Sequence, residues 1–145
     1  MIHRRDAEIA ERTKEENVME LNALTEAIIG AAIEVHRILG PDLLESAYIM
    51  CLCRELALRK IPFEKERDLP VRYKGTLLDC GYRTDIVVDK RVLLELKSVS
   101  KVDKIHEAQL LTYLRIGGWT VGLILNFNVP VLKDGIKRRV LNLPG

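Results

Sequence analysis

Asp85, Glu95 and Lys97 stand inside the stretch "RTDIVVDKRVLLELKSV", Arg83 to Val99, whose other residues largely read as buried strand. Charge in an apolar segment is costly unless it is paired or bound to an ion. The three therefore lie on a solvated face or converge on something. Side chains alternate along a strand, so Glu95 and Lys97 share one face while Leu94 and Leu96 take the other. If Asp89-Lys90-Arg91 is the loop of a hairpin, Val88 pairs with Val92 and Asp85 comes opposite Glu95. Cross-strand partners of that kind have Cβ atoms ~4.5–5.5 Å apart. A two-residue loop would instead turn Glu95 away; the odd-length loop or bulge that the pairing needs is permitted by the sequence but not compelled, since "DKR" lacks the Gly such turns favour. Two facing carboxylates repel when ionised. They share a proton or hold a hard divalent cation, and Mg²⁺ commonly takes one or two carboxylates together with water and substrate phosphate. A lysine beside that ion would orient or help deprotonate water, or offset charge developing at phosphorus. The competing reading, an exposed Glu-Lys strand face, stays open at this point.

These residues need a sheet and something to cover it. Leu24, Ile28, Ala31, Ala32, Val35 and Leu39 recur at helical spacing, and Gly40-Pro41 ends that helix. A second helix starts at Asp42 or Leu43, with Leu44, Ala47, Tyr48, Cys51, Leu52 and Leu56 as its core face, and stops at Ile61-Pro62. The period then changes. Short strands are expected at Phe63–Arg67, Val71–Tyr73, Leu77–Cys80 and Tyr82–Val88, with a turn at Lys74-Gly75. Val92–Lys97 reads as a central strand covered on both faces. A helix is expected over Ile105–Ile116, a buried strand in "WTVGLILNF" and an edge strand in "IKRRVL". The order α-α-β-β-β-β-α-β-β describes an α/β (mixed α+β) fold, a mixed central sheet flanked by helices.

Residues 1–20 are polar and helix-permissive with little apolar stripe, and are expected to form an arm or a loosely docked helix; residues 21–145 form one domain. A chain of 145 residues with 48% hydrophobic content suits one core. Its apolar runs fall short of the ~20 residues of a membrane helix. The start, "MIHRRDAEIAERTKEEN", has no apolar h-region, so a cytoplasmic protein with no membrane partner is expected. Net charge is +2, which neither argues for nucleic acid nor excludes it. Two local clusters matter more: Lys97, Lys101 and Lys104, and Lys133, Lys137, Arg138 and Arg139. Either could meet a phosphate backbone or simply be solvated surface. Cys51, Cys53 and Cys80 form no four-ligand zinc pattern and are expected to be ordinary buried thiols.

Asp85 followed ten positions on by Glu95-Leu96-Lys97 resembles the PD-(D/E)XK nuclease superfamily. More closely, residues 24 to 141 resemble the small prokaryotic GxxExxY protein family of that superfamily. The resembling segments are "AIEVHRILGPDLLESAY", "LDCGYRTDIVV", "LLELKSV", "HEAQLLTYLRIGG" and "VGLILNFNVPVLKDGIKR". The resemblance implies a restriction-endonuclease-like core and a catalytic set of Glu45, Asp85, Glu95, Lys97, Gln109 and Tyr113. Glu45, Asp85 and Glu95 would hold Mg²⁺ or Mn²⁺, helped by the backbone carbonyl after Glu95. Gln109 and Tyr113, four apart and so on one helix face, would support the lysine or a substrate phosphate. The motif's Gly falls on Asp42, and Asp42 with Glu45 also fits a helix capping box.

The expected function is a divalent-metal-dependent nuclease acting on DNA or RNA, with Lys101, Lys104, Lys133, Lys137, Arg138 and Arg139 gripping phosphates. The alternative is a catalytically silent nucleic-acid-binding or protein-interaction module on the same fold. The small size leaves room for a homodimer or a protein partner. His36 is expected to be a satisfied helix residue, His106 a capping or surface residue, and Trp119 core. Tyr48 is expected either to orient Glu45 or to pack in the core. Asn126 and Asn128 are odd polar choices at the end of a buried strand, suited to satisfying turn backbone.

Overall fold

The structure is a computed structural model that describes residues 4–142, with side chains described from Leu21 onward. Helix α1 spans Arg4–Leu39 and helix α2 Glu45–Leu58. Strands β1 (Phe63–Lys65), β2 (Val71–Tyr73), β3 (Thr76–Leu78), β4 (Ile86–Val88) and β5 (Val92–Lys97) follow. Helix α3 (Lys104–Gly117), β6 (Val121–Asn126), a 3₁₀ turn (Leu132–Gly135) and β7 (Ile136–Val140) complete the chain. The order is α-α-β-β-β-β-β-α-β-β, one strand more before α3 than the expected order holds, because β4 and β5 are separate arms of a hairpin in addition to β1, β2 and β3.

The first helix begins well before the predicted Leu24, at Arg4. Whether its first turns dock on the body, as the expected arm, rests on residues whose side chains lie outside those described. At its other end Gly40 takes a left-handed φ of 70° and its N–H bonds the His36 carbonyl, the expected stop. The second helix starts later than expected. Asp42 has a φ of 72° and Leu44 is the N-cap residue, so no Asp42–Glu45 capping box forms.

Five strands make the central sheet in the order β1-β4-β5-β6-β7. All neighbours are antiparallel except β5 and β6, which run parallel. A parallel pair needs a crossover, and α3 supplies it. The sheet sits between two layers. Val88, Val92, Leu94, Leu96, Leu123 and Leu125 pack with Ile28, Tyr48 and Leu52 of α1 and α2. Val87, Leu93 and Ile124 pack with Leu110, Tyr113 and Leu114 of α3. Strand β5 is thus covered on both faces, as its composition predicts.

The hairpin between β4 and β5 has the register Val88↔Val92, Val87↔Leu93 and Ile86↔Leu94. The loop is the three-residue one, and it is made without glycine: Asp89 and Lys90 take φ of 50° and 58°. Arg91 N–H bonds the Val88 carbonyl at 3.0 Å, and the Arg91 guanidinium donates to Asp89 Oδ2 at 2.7 Å. Three further boundaries differ from expectation, the first being β1, which ends at Lys65 rather than Arg67. Residues 82–85 are not part of β4, although Thr84 N–H bonds Arg67 and Leu69 N–H bonds Tyr82. Glu66, at a φ of 53°, kinks the partner chain and breaks the ladder there. Strand β3 is Thr76–Leu78 and leaves Cys80 out, so Cys80 is exposed rather than buried; Cys53 is buried and Cys51 half-buried. Lys74-Gly75 makes the expected turn of β2 and β3, which form a separate two-stranded sheet.

Candidate active site

Alternation from Val87 and Leu93 places Asp85, Glu95 and Lys97 on the α3 face of the sheet. The continued register would put Asp85 opposite Glu95. Asp85 Oδ2 instead reaches one residue past that point and accepts the Leu96 backbone N–H at 2.8 Å. Glu95 is 5% exposed. Among the described residues its Oε1 has no hydrogen-bond partner, and it is out of reach of solvent.

That environment sets the protonation of the pair. Burial, then the negative charge of Asp85, push the Glu95 carboxyl up to about 8, while Lys97 pulls the other way. The Asp85 carboxyl is raised as well, first by burial, against the Leu96 N–H and Lys97, with Glu45 adding repulsion. At neutral pH and without a cation, a proton therefore sits within the pair. The lysine, half-buried at the end of β5, is the nearby positive charge.

Glu45 comes from the opposite layer. It is the first residue of α2, which packs on the other face of the sheet, and it reaches around the carboxyl end of β5. Its Oε1 accepts the Ser98 backbone N–H at 3.3 Å. Ser98 Oγ in turn donates to the Leu43 carbonyl at 2.6 Å. Leu43, Leu44, Glu45, Ser46 and Ser98 line a cleft of about 390 Å³ at this corner. Among the described residues no three His, Cys, Asp or Glu side chains converge closely enough to hold a metal ion by themselves. The pair Asp85–Glu95 is the tight element, and Glu45 stands outside it.

The residues still fit a divalent cation. A buried, partnerless carboxylate oxygen beside a second carboxylate is what a hard cation would satisfy, and Mg²⁺ needs only one or two protein carboxylates with water filling the rest. Asp85 and Glu95 would hold it, with Glu45 within electrostatic reach of Asp85.

On α3, Gln109 Nε2 donates to Tyr113 Oη at 3.1 Å, so the expected helix-face pair is formed. Tyr113 is buried against Val87 and Leu93, the neighbours of the acidic pair on that face. The basic clusters divide. Lys101, Lys104, Lys133 and Arg138 are exposed and Lys137 is half-buried. Arg139 departs from expectation: its guanidinium is engaged by Glu107 of α3. Strand alternation turns Lys137 and Arg139 to one face and Arg138 to the other, so this is not one surface cluster.

Two supports were not read as part of the site. The Asn126 amide donates to the Val99 carbonyl at 2.9 Å and accepts the Val99 N–H at 3.1 Å and the Asn128 N–H at 3.2 Å. It thereby fixes the chain just after Ser98. The odd polar residue ending a buried strand was the available signal. Tyr48 takes the core-packing role expected for it, and its hydroxyl holds backbone rather than the Glu45 carboxylate. Its ring stacks on Phe127, and its hydroxyl donates to the Gly40 carbonyl at 2.5 Å and accepts the Leu43 N–H at 3.2 Å. It fixes the loop from which Glu45 starts, without touching the carboxylate. His36 donates to the Val129 carbonyl and Trp119 is buried in the α3 layer, both as expected. His106 Nδ1 accepts the Asp103 N–H at the start of α3, a capping role.

A protein-family model described as the PD-(D/E)XK nuclease superfamily matches residues 22–139. Its restriction-endonuclease-like architecture is the one seen here, a five-stranded mixed sheet flanked by helices. No curated protein and no solved structure matches the chain significantly.

Proposed function

Because the chain belongs to the PD-(D/E)XK nuclease superfamily, we propose that it is a divalent-metal-dependent phosphodiesterase hydrolysing nucleic acid. The observation that carries this reading is the buried Asp85–Glu95 pair with its partnerless Glu95 oxygen and Lys97 alongside. When bound, Mg²⁺ or Mn²⁺ supplies Lewis-acid polarisation and a more acidic water. Asp85 and Glu95 hold that charge, and Glu45 adds to the field from across the end of β5. Lys97 places an ammonium where negative charge develops on the phosphoryl oxygens or on the attacking water. Gln109 and Tyr113 brace this face from α3. Lys101, Lys104, Lys133, Lys137 and Arg138 offer phosphate contacts that position the strand without reading sequence.

The finer assignment to the GxxExxY family rests on "DLLESAY", "LELKSV" and the Gln109–Tyr113 pair. It brings with it a cytoplasmic, prokaryotic setting and DNA as the expected substrate, acted on alone, as a homodimer or with a protein partner. Among the described residues no helix is long and apolar enough to cross a membrane.

A second reading, a nucleic-acid-binding module without turnover, is favoured by one observation: Glu45 is engaged by Ser98 rather than gathered with the pair. Incubation of labelled DNA and RNA with Mg²⁺ or Mn²⁺ separates the two. The hydrolase reading expects cleavage that EDTA, Lys97→Ala and Glu95→Gln each abolish. Cleavage surviving both substitutions would sink it, and binding without cleavage in the wild type would favour the silent module.

A further inference from the structure

The segment between β1 and β4 leaves the central sheet as the β2–β3 hairpin and returns through Tyr82 to Asp85. A two-stranded hairpin with little cover is marginal in water, and small exposed elements are normally polar. This one is not. Tyr73 is 61% exposed, Leu77 56%, Leu78 43% and Tyr82 41%. Basic residues lie among them. Arg72 is exposed and, among the described residues, bonds only the hairpin's own Gly75 carbonyl, at 3.4 Å. Lys74 Nζ lies 5.5 Å from the Tyr73 ring centre, leaving that ring and its cation together in solvent.

The hairpin is also joined to the site. Tyr82 meets Tyr113 edge to face, with ring centres 5.6 Å apart, and Tyr113 carries the Gln109 bond beside the acidic pair. Two exposed aromatic side chains thus stand on this segment, Tyr73 at the hairpin with Arg72 and Lys74 beside it in sequence and Tyr82 on the return, resting on the buried Tyr113 of α3. A duplex hides the stacking faces of its bases, so aromatic rings on such a surface have little to stack on. An unpaired strand offers base faces and phosphates together, because every base has a face that stacks on an aromatic ring while cations follow the backbone.

Resting on the hydrolase reading for its location, we infer that the β2–β3 hairpin is a binding platform for an unpaired nucleic-acid strand, with Tyr73 and Tyr82 stacking bases and Arg72 and Lys74 meeting phosphates. The substrate class is then single-stranded DNA or RNA, or the unpaired end of a duplex.

The test is fluorescence anisotropy of the full chain in EDTA, so that nothing is cut. The probes are a short labelled DNA strand, the same sequence as RNA, and the duplex of each. The wild type binds the strands more tightly than the duplexes, and the DNA and RNA arms identify the preferred sugar. Tyr73→Ala weakens strand binding about 5- to 150-fold, while Tyr73→Phe, which keeps the ring, retains it. Duplex binding is little changed in both. Equal binding of strand and duplex, or strand binding indifferent to Tyr73→Ala, overturns the inference. So does sedimentation showing a dimer that Tyr73→Ala dissociates, which would make the platform a contact between copies. Glu95→Gln separates this inference from the hydrolase reading. Strand preference in that variant and in an inert wild type supports the platform without the reaction. Metal-dependent cleavage with no strand preference leaves the reaction and removes the platform.

Discussion

Replacing Glu95 with Gln in the metal-free protein should raise its stability at alkaline pH. Glu95 titrates near 4.5 in the unfolded chain and is pushed up to about 8 when folded, chiefly by burial and then by Asp85. Between those values the folded state holds a proton that the unfolded state has released. Stability therefore falls as pH rises through the window, by about 1.4 kcal/mol per unit for one proton. It is fully present below about 4.5 and lost by about 8. Across the whole window the change amounts to roughly 5 kcal/mol, a large share of a domain's usual 5–15 kcal/mol. Asp85 is shifted in the same direction and adds to the slope. Glutamine keeps the shape, cannot ionise, and offers Asp85 an amide donor. Urea unfolding in EDTA, followed by circular dichroism from about pH 5 to pH 9, measures this. The wild type should lose several kcal/mol across the range and Glu95→Gln much less, so that the curves cross or diverge. Parallel curves would refute the claim that Glu95 is buried protonated against Asp85. Saturating Mn²⁺ should flatten the wild-type curve, because the ion takes the proton's place. Its affinity should rise up to tenfold per pH unit below about 8.

Three other substitutions probe the supports. Tyr48→Phe removes the hydroxyl bridging Gly40 and Leu43; it should cost about 1–3 kcal/mol and weaken the Mn²⁺-induced rise in Tm, as read by differential scanning fluorimetry. Asn126→Ala leaves both backbone groups of Val99 without their partner; a loss of roughly 2–4 kcal/mol is expected from chemical denaturation, again with weaker Mn²⁺ stabilisation. Gly135→Ala would place a Cβ 2.1 Å from the Asn126 carbonyl oxygen, backbone that cannot swing aside; a loss of about 3 kcal/mol, the upper end for overpacking, is expected, seen as poor soluble yield or a Tm drop.

The acidic pair was legible because strand alternation and loop length are simple rules. Once Val88 pairs with Val92, Asp85 and Glu95 must share a face. The turn itself was harder to read, since Asp89 and Lys90 adopt left-handed backbone without glycine. Glu45 was ambiguous because Asp-x-x-Glu describes a capping box as well as a site. Only the left-handed backbone of Asp42 and the Ser98 bond decide the local geometry. The break before β4 depended on Glu66, a kink that a local pattern does not announce. Arg139 looked like part of a basic cluster because composition ignores side-chain direction. The Asn126 and Ser98 contacts join segments distant in sequence, so no spacing rule could have matched them.

The two rims of the sheet differ from its middle in a way that bears on aggregation. Strand β1 at one rim has three residues, and β7 at the other carries Lys137, Arg138 and Arg139 in succession. Short or strongly cationic outer strands discourage a neighbouring molecule from zipping its own backbone alongside. Fibril-like stacking through the central layer is disfavoured on both sides. Any self-assembly of this chain is thereby steered to its helices or its side hairpin, away from the strands that hold the carboxylates.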